Sequence, residues 1–369
     1  MIYYDNAATT PVLPTMRDSN LANPSSPHAL GIAAERKLST SRKRLSGFLG
    51  QINKNTPPNI IFTSGGTESN NLALLGFAQA NRRKKAVFMA EPWEHPSILE
   101  PLKYIKEQGF ETIIAPRKEW QTSSSGICLA AISHVNSETG DISDVSAIAA
   151  SLKKENPATI VLVDGIQGFF KECVDLSQVD MYTFSAHKFH GPTGVGGLAV
   201  RPNIRLAPIM YGGGQENKLR PGTENIQGIL HMVDVVERIL PALQNTAQHV
   251  GEIKKILLGL TAELPDVFVN AIASGAGVSS YILNMSFLGV KGEPLVNLLS
   301  EKGIYASMGA ACRSRGNKKS VLEDMGFSKQ RAESAVRFSF SHLNTVDEAH
   351  VAKAIIADCV TQLRSVMEE

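Results

Sequence analysis

The stretch Phe184-Ser185-Ala186-His187-Lys188-Phe189-His190-Gly191-Pro192-Thr193-Gly194-Val195-Gly196-Gly197 decides the reading of this 369-residue chain. A largely apolar and aromatic approach over residues 179–184 delivers a serine, a histidine and a lysine in close order, and a run of glycines follows. Most lysines are solvated surface charges. Lys188 has small or apolar neighbours instead, and the glycines permit close backbone approach and positive φ. Desolvating an amine favours its neutral form, which makes a nucleophile suited to Schiff-base chemistry.

Outward from Lys188 the chain alternates between apolar runs and helical patterns. Strands are predicted over 59–63, 86–90, 129–134, 159–163 and 181–185, with helices over 28–49, 67–79, 96–107 and 145–154 between them. Such alternation predicts an α/β fold with a largely parallel sheet covered by helices. Ligands in these sheets sit at the carboxyl ends of strands. The predicted strand ends deliver Thr67, His95, Asn136, Asp164 and His187-Lys188 to one crevice. After Gly212-Gly213-Gly214 a long helical region is expected over 226–263, leading to a second domain. That domain reads as strands at 267–270, 280–287 and 335–340, helices at 293–301 and 346–366, and a Gly/Ala/Ser-rich loop around Cys312.

Bulk properties exclude several classes. Lys+Arg 37 against Asp+Glu 35 leaves a net charge of +2, no footprint for nucleic acid. No run of about 20 apolar residues exists, so no membrane span is expected. Met1 to Asn6 lacks a basic region leading into an apolar run, the mark of a signal peptide. Cys128, Cys173, Cys312 and Cys359 are widely spaced and form neither a metal pattern nor a disulfide framework. A cytoplasmic protein without a metal is the expectation.

The polar residues at the strand ends make a coherent set for pyridoxal phosphate (PLP). The run Ser64-Gly65-Gly66-Thr67 joins a strand to a helix, where unpaired N–H groups and the helix dipole bind anions. Asp164 closes the apolar run Ile160-Val161-Leu162-Val163. A carboxylate there keeps a pyridinium protonated and makes the ring an electron sink. Gln167 is placed to bond the cofactor's phenolic oxygen, Ser185 and His187 to join Thr67 at its phosphate, and His95 to stack on its ring.

Nine motifs in one order carry a family resemblance. They are Asp5-Asn6-Ala7-Ala8-Thr9-Thr10-Pro11, Asn23-Pro24-Ser25-Ser26, Phe62-Thr63-Ser64-Gly65-Gly66-Thr67-Glu68-Ser69-Asn70, Glu94-His95, His134-Val135-Asn136-Ser137-Glu138-Thr139-Gly140, Asp164-Gly165-Ile166-Gln167, Ser185-Ala186-His187-Lys188, Arg220-Pro221-Gly222-Thr223 and Val336-Arg337-Phe338-Ser339. Together they resemble the cysteine desulfurases of the NifS/IscS type, fold-type I PLP enzymes of the class V aminotransferase group. The resemblance implies a mostly parallel seven-stranded sheet sandwiched by helices, plus a smaller α+β domain. The large domain would span 11–235, and the small one 1–10 with 236–369. It implies that Lys188 is the Schiff-base lysine, Asp164 the pyridinium partner, Gln167 the phenolic-oxygen contact, and His95 the stacking residue that also handles protons. It further implies that Gly66, Thr67, Ser185 and His187 cradle the phosphate. Thr223 would reach the phosphate of a neighbouring subunit, which means a homodimer with shared active sites. Asn136 and Arg337 would hold the substrate carboxylate, a task that suits arginine's planar fork.

The loop Ser307-Met308-Gly309-Ala310-Ala311-Cys312 is similar to the family's loop bearing the persulfide-forming cysteine. This implies conversion of L-cysteine to L-alanine with a persulfide on Cys312, passed on to a sulfur-acceptor protein such as an iron–sulfur scaffold or a thiolation carrier. The chain also departs from the family. Residues 11–23 and 116–129 are short, Ser137 stands where a second Asn is commoner, and Ser341-His342-Leu343 replaces a usual glycine. Two alternatives therefore stay open. One is a related PLP-dependent lyase or aminotransferase acting on selenocysteine, cysteine sulfinate or another small amino acid. The other is a non-enzymatic sulfur-trafficking scaffold.

Overall fold

A computed structural model describes residues 1–14, 22–52, 57–83, 86–122, 126–272, 276–308 and 319–367. Its strands, in chain order, are β1 (Ile2–Tyr3), β2 (Asn59–Thr63), β3 (Val87–Ala90), β4 (Glu111–Ile114), β5 (Ile127–Ser133), β6 (Ile160–Asp164), β7 (Met181–Ser185), β8 (Gly196–Val200), β9 (Val267–Val269), β10 (Ile282–Phe287), β11 (Ile304–Tyr305) and β12 (Ala335–Ser339). The helices are α1 (Ala29–Ile52), α2 (Gly66–Ala80), α3 (Pro96–Glu107), α4 (Val145–Glu155), α5 (Ile226–Ile239), α6 (Leu243–Leu258), α7 (Leu260–Glu263), α8 (Gly292–Glu301), α9 (Val321–Asp324), α10 (Lys329–Glu333) and α11 (Val346–Met367). They divide into two units: 11–134 with 143–241, and 1–10 with 135–142 and 242–369.

The first unit is built on a seven-stranded sheet in the order β2-β8-β7-β6-β5-β3-β4. The strands from β3 to β7 pair in parallel, and β8 runs antiparallel to both β2 and β7. This is the mostly parallel sheet expected. Two of its strands escape the sequence reading. The strand β8 begins in Gly196-Gly197, for which the sequence pattern predicts no strand. These glycines are in the sheet because a Cβ at Gly197 would stand 2.4 Å from Phe184 Cζ. The edge strand β4 is half exposed and short of apolar residues.

The aromatic approach to Lys188 is a packing device. Phe184 and Phe189 bracket the lysine turn and are buried. Phe169 lies 4.6 Å from Phe184, nearly parallel, and 5.2 Å from Phe189 in an edge contact. Aromatic pairs of this kind contribute about 0.5–1.5 kcal/mol beyond their burial. The turn that carries Lys188 therefore rests on a rigid floor.

The second unit holds the antiparallel sheet β12-β10-β9 and the parallel pair β1-β11. Its core joins Tyr4, Met285, Phe287, Leu295, Leu299 and Phe338 with the inner faces of α6 and α11. The single helix expected over 226–263 is in fact three, broken first at Leu240–Ala242. Pro241 in that turn cannot supply an interior helical N–H. The structure places the unit boundary beside it, six residues beyond the expected one at 235. Residues 135–142, expected in the large domain, belong to the second unit. Asn136 and Arg337 therefore belong to the same unit.

Candidate active site

In the first unit three elements meet around the start of α2. Gly65 caps that helix without contributing a side chain, so the first turn keeps its N–H groups for a ligand. A Cβ on Gly66 would stand 2.1 Å from Ile166 Cδ1 and 3.8 Å from Ser185 Cβ, so a larger residue would have to displace the Ile166 side chain. Ser185 ends β7, and Ile166 follows Asp164 at the end of β6. Glu68, the acidic residue of the first turn, pairs with Arg220 Nε at 2.8 Å and accepts from Ser64 N–H. That pairing ties Arg220 to the first turn of α2. Thr67 and Thr223 themselves are exposed.

Asp164 is buried, and both its oxygens are engaged. Oδ2 accepts from Asn70 Nδ2 at 2.8 Å, and Oδ1 from Ile166 N–H at 3.1 Å. His95 is the N-cap of α3. Its Nδ1 accepts from Ser97 N–H at 3.1 Å and lies 2.8 Å from Ser97 Oγ. Ser97 and Asp164 are bridged by the Asn70 amide, so Asp164 and His95 belong to one network.

The lysine turn, Ala186–Lys188, follows β7 directly. Burial, Lys188 and Lys171 together push the His187 imidazole down to about 4, so at neutral pH it is an uncharged donor or acceptor. Gln167 is buried, and its Oε1 accepts from Lys171 Nζ at 3.3 Å. This orients the amide with its NH2 group turned away from Lys171. Glu94, the neighbour of His95, is fully buried. Burial, with Glu91 and Asp164 nearby, raises its carboxyl to about 8. Ser133 bonds it through both N–H and hydroxyl.

The second unit holds the expected carboxylate-binding pair. Asn136 Oδ1 is committed to the N–H groups of Glu138 and Thr139 at 2.9 and 3.0 Å, which leaves Nδ2 as what it can offer a ligand. Arg337 is buried on β12. Its Nη1 donates to Ser137 O at 2.8 Å and Glu138 Oε1 at 3.2 Å, and its Nη2 to Asp5 Oδ1 at 3.3 Å. Its Nε has no partner among the described residues. A buried guanidinium N–H without an acceptor is the donor a substrate carboxylate would satisfy. Ser307 and Arg337 bond through their backbones in both directions, which fixes the start of the loop toward Cys312. Cys312 itself lies outside the described residues.

The sequence reading named Lys188, Asp164, His95, Ser185, His187, Gln167, Gly66 and Thr67, and the structure assembles them in one unit. It assigned no role to Asn70, Ser97, Lys171, Glu94, Glu138 or Asp5. Asp5, Asn70, Glu94 and Glu138 lie inside the nine motifs, and their chemistry gives no local signal.

The chain belongs to the class V aminotransferase family, whose model matches residues 2–351, and within it to the cysteine desulfurases of the NifS/IscS type. It is 34% identical over 388 residues to Cysteine desulfurase IscS of Acinetobacter baumannii (strain AYE), covering 98% of this chain and 93% of that protein. It is 30% identical over 384 residues to Cysteine desulfurase IscS of Methanosarcina thermophila, covering 99% and 93%. Among solved structures, a NifS-like protein superposes with a TM-score of 0.86 at 30% identity, covering 98% of this chain and 99% of that one.

Proposed function

We propose that this enzyme is a PLP-dependent cysteine desulfurase that converts L-cysteine to L-alanine and captures the sulfur as a persulfide on Cys312. The observation that carries the cofactor assignment is the convergence of three elements at Gly66: the uncapped start of α2, the Asp164 strand end and the Ser185–Lys188 turn. The donor set matches PLP group by group, with amides and hydroxyls for a phosphate, a buried carboxylate for a pyridinium, and a lysine for the aldehyde. When bound, PLP supplies an electron sink that labilises bonds at the substrate's α-carbon.

Lys188 anchors the cofactor and takes the proton from the substrate Cα. Asp164, held by Asn70 and the Ile166 N–H, keeps its carboxylate aimed at one point. Gln167 donates to the phenolic oxygen, and neutral His187 joins Gly66, Thr67 and Ser185 at the phosphate. His95 stacks on the ring and moves protons. Arg337 and Asn136 hold the substrate carboxylate. The Cys312 thiolate attacks the substrate sulfur. An S–S bond forms, the Cβ–S bond breaks with its electron pair left on carbon, the β-carbon gains a proton and Cα regains the one Lys188 took, so alanine leaves and one sulfur stays on Cys312.

The enzyme works as a homodimer in which Thr223 serves the partner's site, in a reducing cytoplasm that suits Cys128, Cys173 and Cys359, which form no disulfide among the described residues. It passes sulfur to an acceptor protein. Incubation with L-cysteine followed by peptide mass analysis should find one added sulfur on Cys312. Full alanine production by Cys312→Ser would overturn that residue's role. Alanine formed faster from selenocysteine or cysteine sulfinate than from cysteine would overturn the substrate.

A further inference from the structure

The bonds between Asp164 and His95 have a direction, and it can be read from which groups are only donors or only acceptors. Ser97 N–H can only donate, so His95 Nδ1, 3.1 Å away, is an acceptor. Ser97 Oγ, 2.8 Å from the same nitrogen, must therefore donate to it. That hydroxyl accepts in turn from Asn70 Nδ2 at 2.8 Å, and the other Nδ2 hydrogen goes to the Asp164 carboxylate at 2.8 Å. The amide cannot flip, because the Asp164 carboxylate only accepts and so requires the NH2 group; Thr183 Oγ1 is left to donate to Asn70 Oδ1 at 2.8 Å. Asn70, Ser97 and Thr183 are buried, so water does not substitute for these partners.

We infer that Asn70 and Ser97 are positioning residues that hold His95 in the Nε2–H tautomer, and that the same Asn70 amide fixes the Asp164 carboxylate. One side chain thus sets both the group beneath the pyridine nitrogen and the donor face of the stacking histidine. The assignment rests on the reading of His95 and Asp164 as cofactor-facing groups. Its physical content is a tautomer, which exists with or without turnover. A residue two positions from His95 and an amide on α2 control which ring nitrogen carries the proton.

The test is long-range 15N–1H correlation of the His95 ring in 15N-histidine-labelled protein, with and without PLP, on the parent, Ser97→Ala and Ser97→Thr. The expected result is a pure Nε2–H signal in the parent and in Ser97→Thr; Ser97→Ala keeps the backbone N–H at 3.1 Å but loses the shorter hydroxyl bond, so a minor Nδ1–H share should appear there. Alongside, kcat for L-cysteine should fall about tenfold in Ser97→Ala with KM and PLP affinity unchanged, a fraction of what a positioned acid–base group contributes. Ser97→Thr should recover it. An Nδ1–H signal in the parent, or a parent-like tautomer and kcat in Ser97→Ala, would overturn the inference. Absence of cysteine turnover in the parent would instead sink the desulfurase reading, and the tautomer spectra would still decide this one.

Discussion

Glu94 offers a measurement in which charge, burial and stability can be separated. Its carboxyl is raised from an ordinary 4.5 to about 8, first by burial and then by Glu91 and Asp164, against the opposing bonds from Ser133. The folded-state pKa of this acid lies above the unfolded one. Between these two values the unfolded chain releases a proton that the folded chain keeps, so stability falls as pH rises. Integrating over that window gives a cost of about 1 kcal/mol near pH 5 and about 4 kcal/mol near pH 7.5. Glu94→Gln keeps the shape, accepts from Ser133 N–H through its carbonyl and donates to Ser133 Oγ through its amide. It removes the titration. The variant should be no less stable than the parent near pH 5, and its advantage should grow by about 3 kcal/mol toward pH 7.5. Urea unfolding of the cofactor-free protein at the two pH values measures this. A difference between parent and variant that does not change with pH, or one that shrinks as pH rises, would refute the claim that Glu94 is held protonated.

Other expectations follow from the same geometry. His134, buried against the Tyr182 hydroxyl at 3.0 Å, is lowered from 6.5 to about 4 by burial. The unfolded chain binds its proton first, so stability should drop as pH falls from 6.5 toward 4, by about 3 kcal/mol for this group. Acid denaturation of His134→Gln, compared with the parent, should show a smaller drop. Arg337→Lys keeps a charge but loses the fork, and KM for L-cysteine should rise roughly 10- to 100-fold with a smaller change in kcat; an unchanged KM would remove Arg337 from the carboxylate site. Lys188→Ala should abolish alanine production and the covalent retention of PLP after borohydride treatment, and retained label at another lysine would disprove the anchor.

How much of this was legible beforehand depended on whether the signal was local. The lysine stretch could be read because its hydrophobic floor and glycines lie within a few residues of Lys188. Asp164 could be read because a carboxylate at the end of an apolar strand is conspicuous. Asn70 could not, since an amide bonding 94 residues away leaves no trace in its own neighbourhood. The strand β8 was hidden because its glycines answer to the ring of Phe184. The unit to which Asn136 belongs was hidden for a related reason. A predicted strand end says where a side chain emerges, and nothing about the chain then leaving one unit to join another. Asp5 as a partner of Arg337 required knowing that the first residues of the chain pair with nearly its last strand.

That pairing also sets a clock on how the protein is made. Ile2 and Tyr3 pair with Ile304 and Tyr305, and Asn6 Nδ2 donates to Ser339 O. During synthesis, at roughly 5–20 residues per second, the first strand waits about 15–60 s for its partner to be made. All the residues of the unit that carries Lys188 are already available before then. The second unit can close only after the strand that carries Arg337 has been made, so the first residues of the chain are a late arrival to their own core.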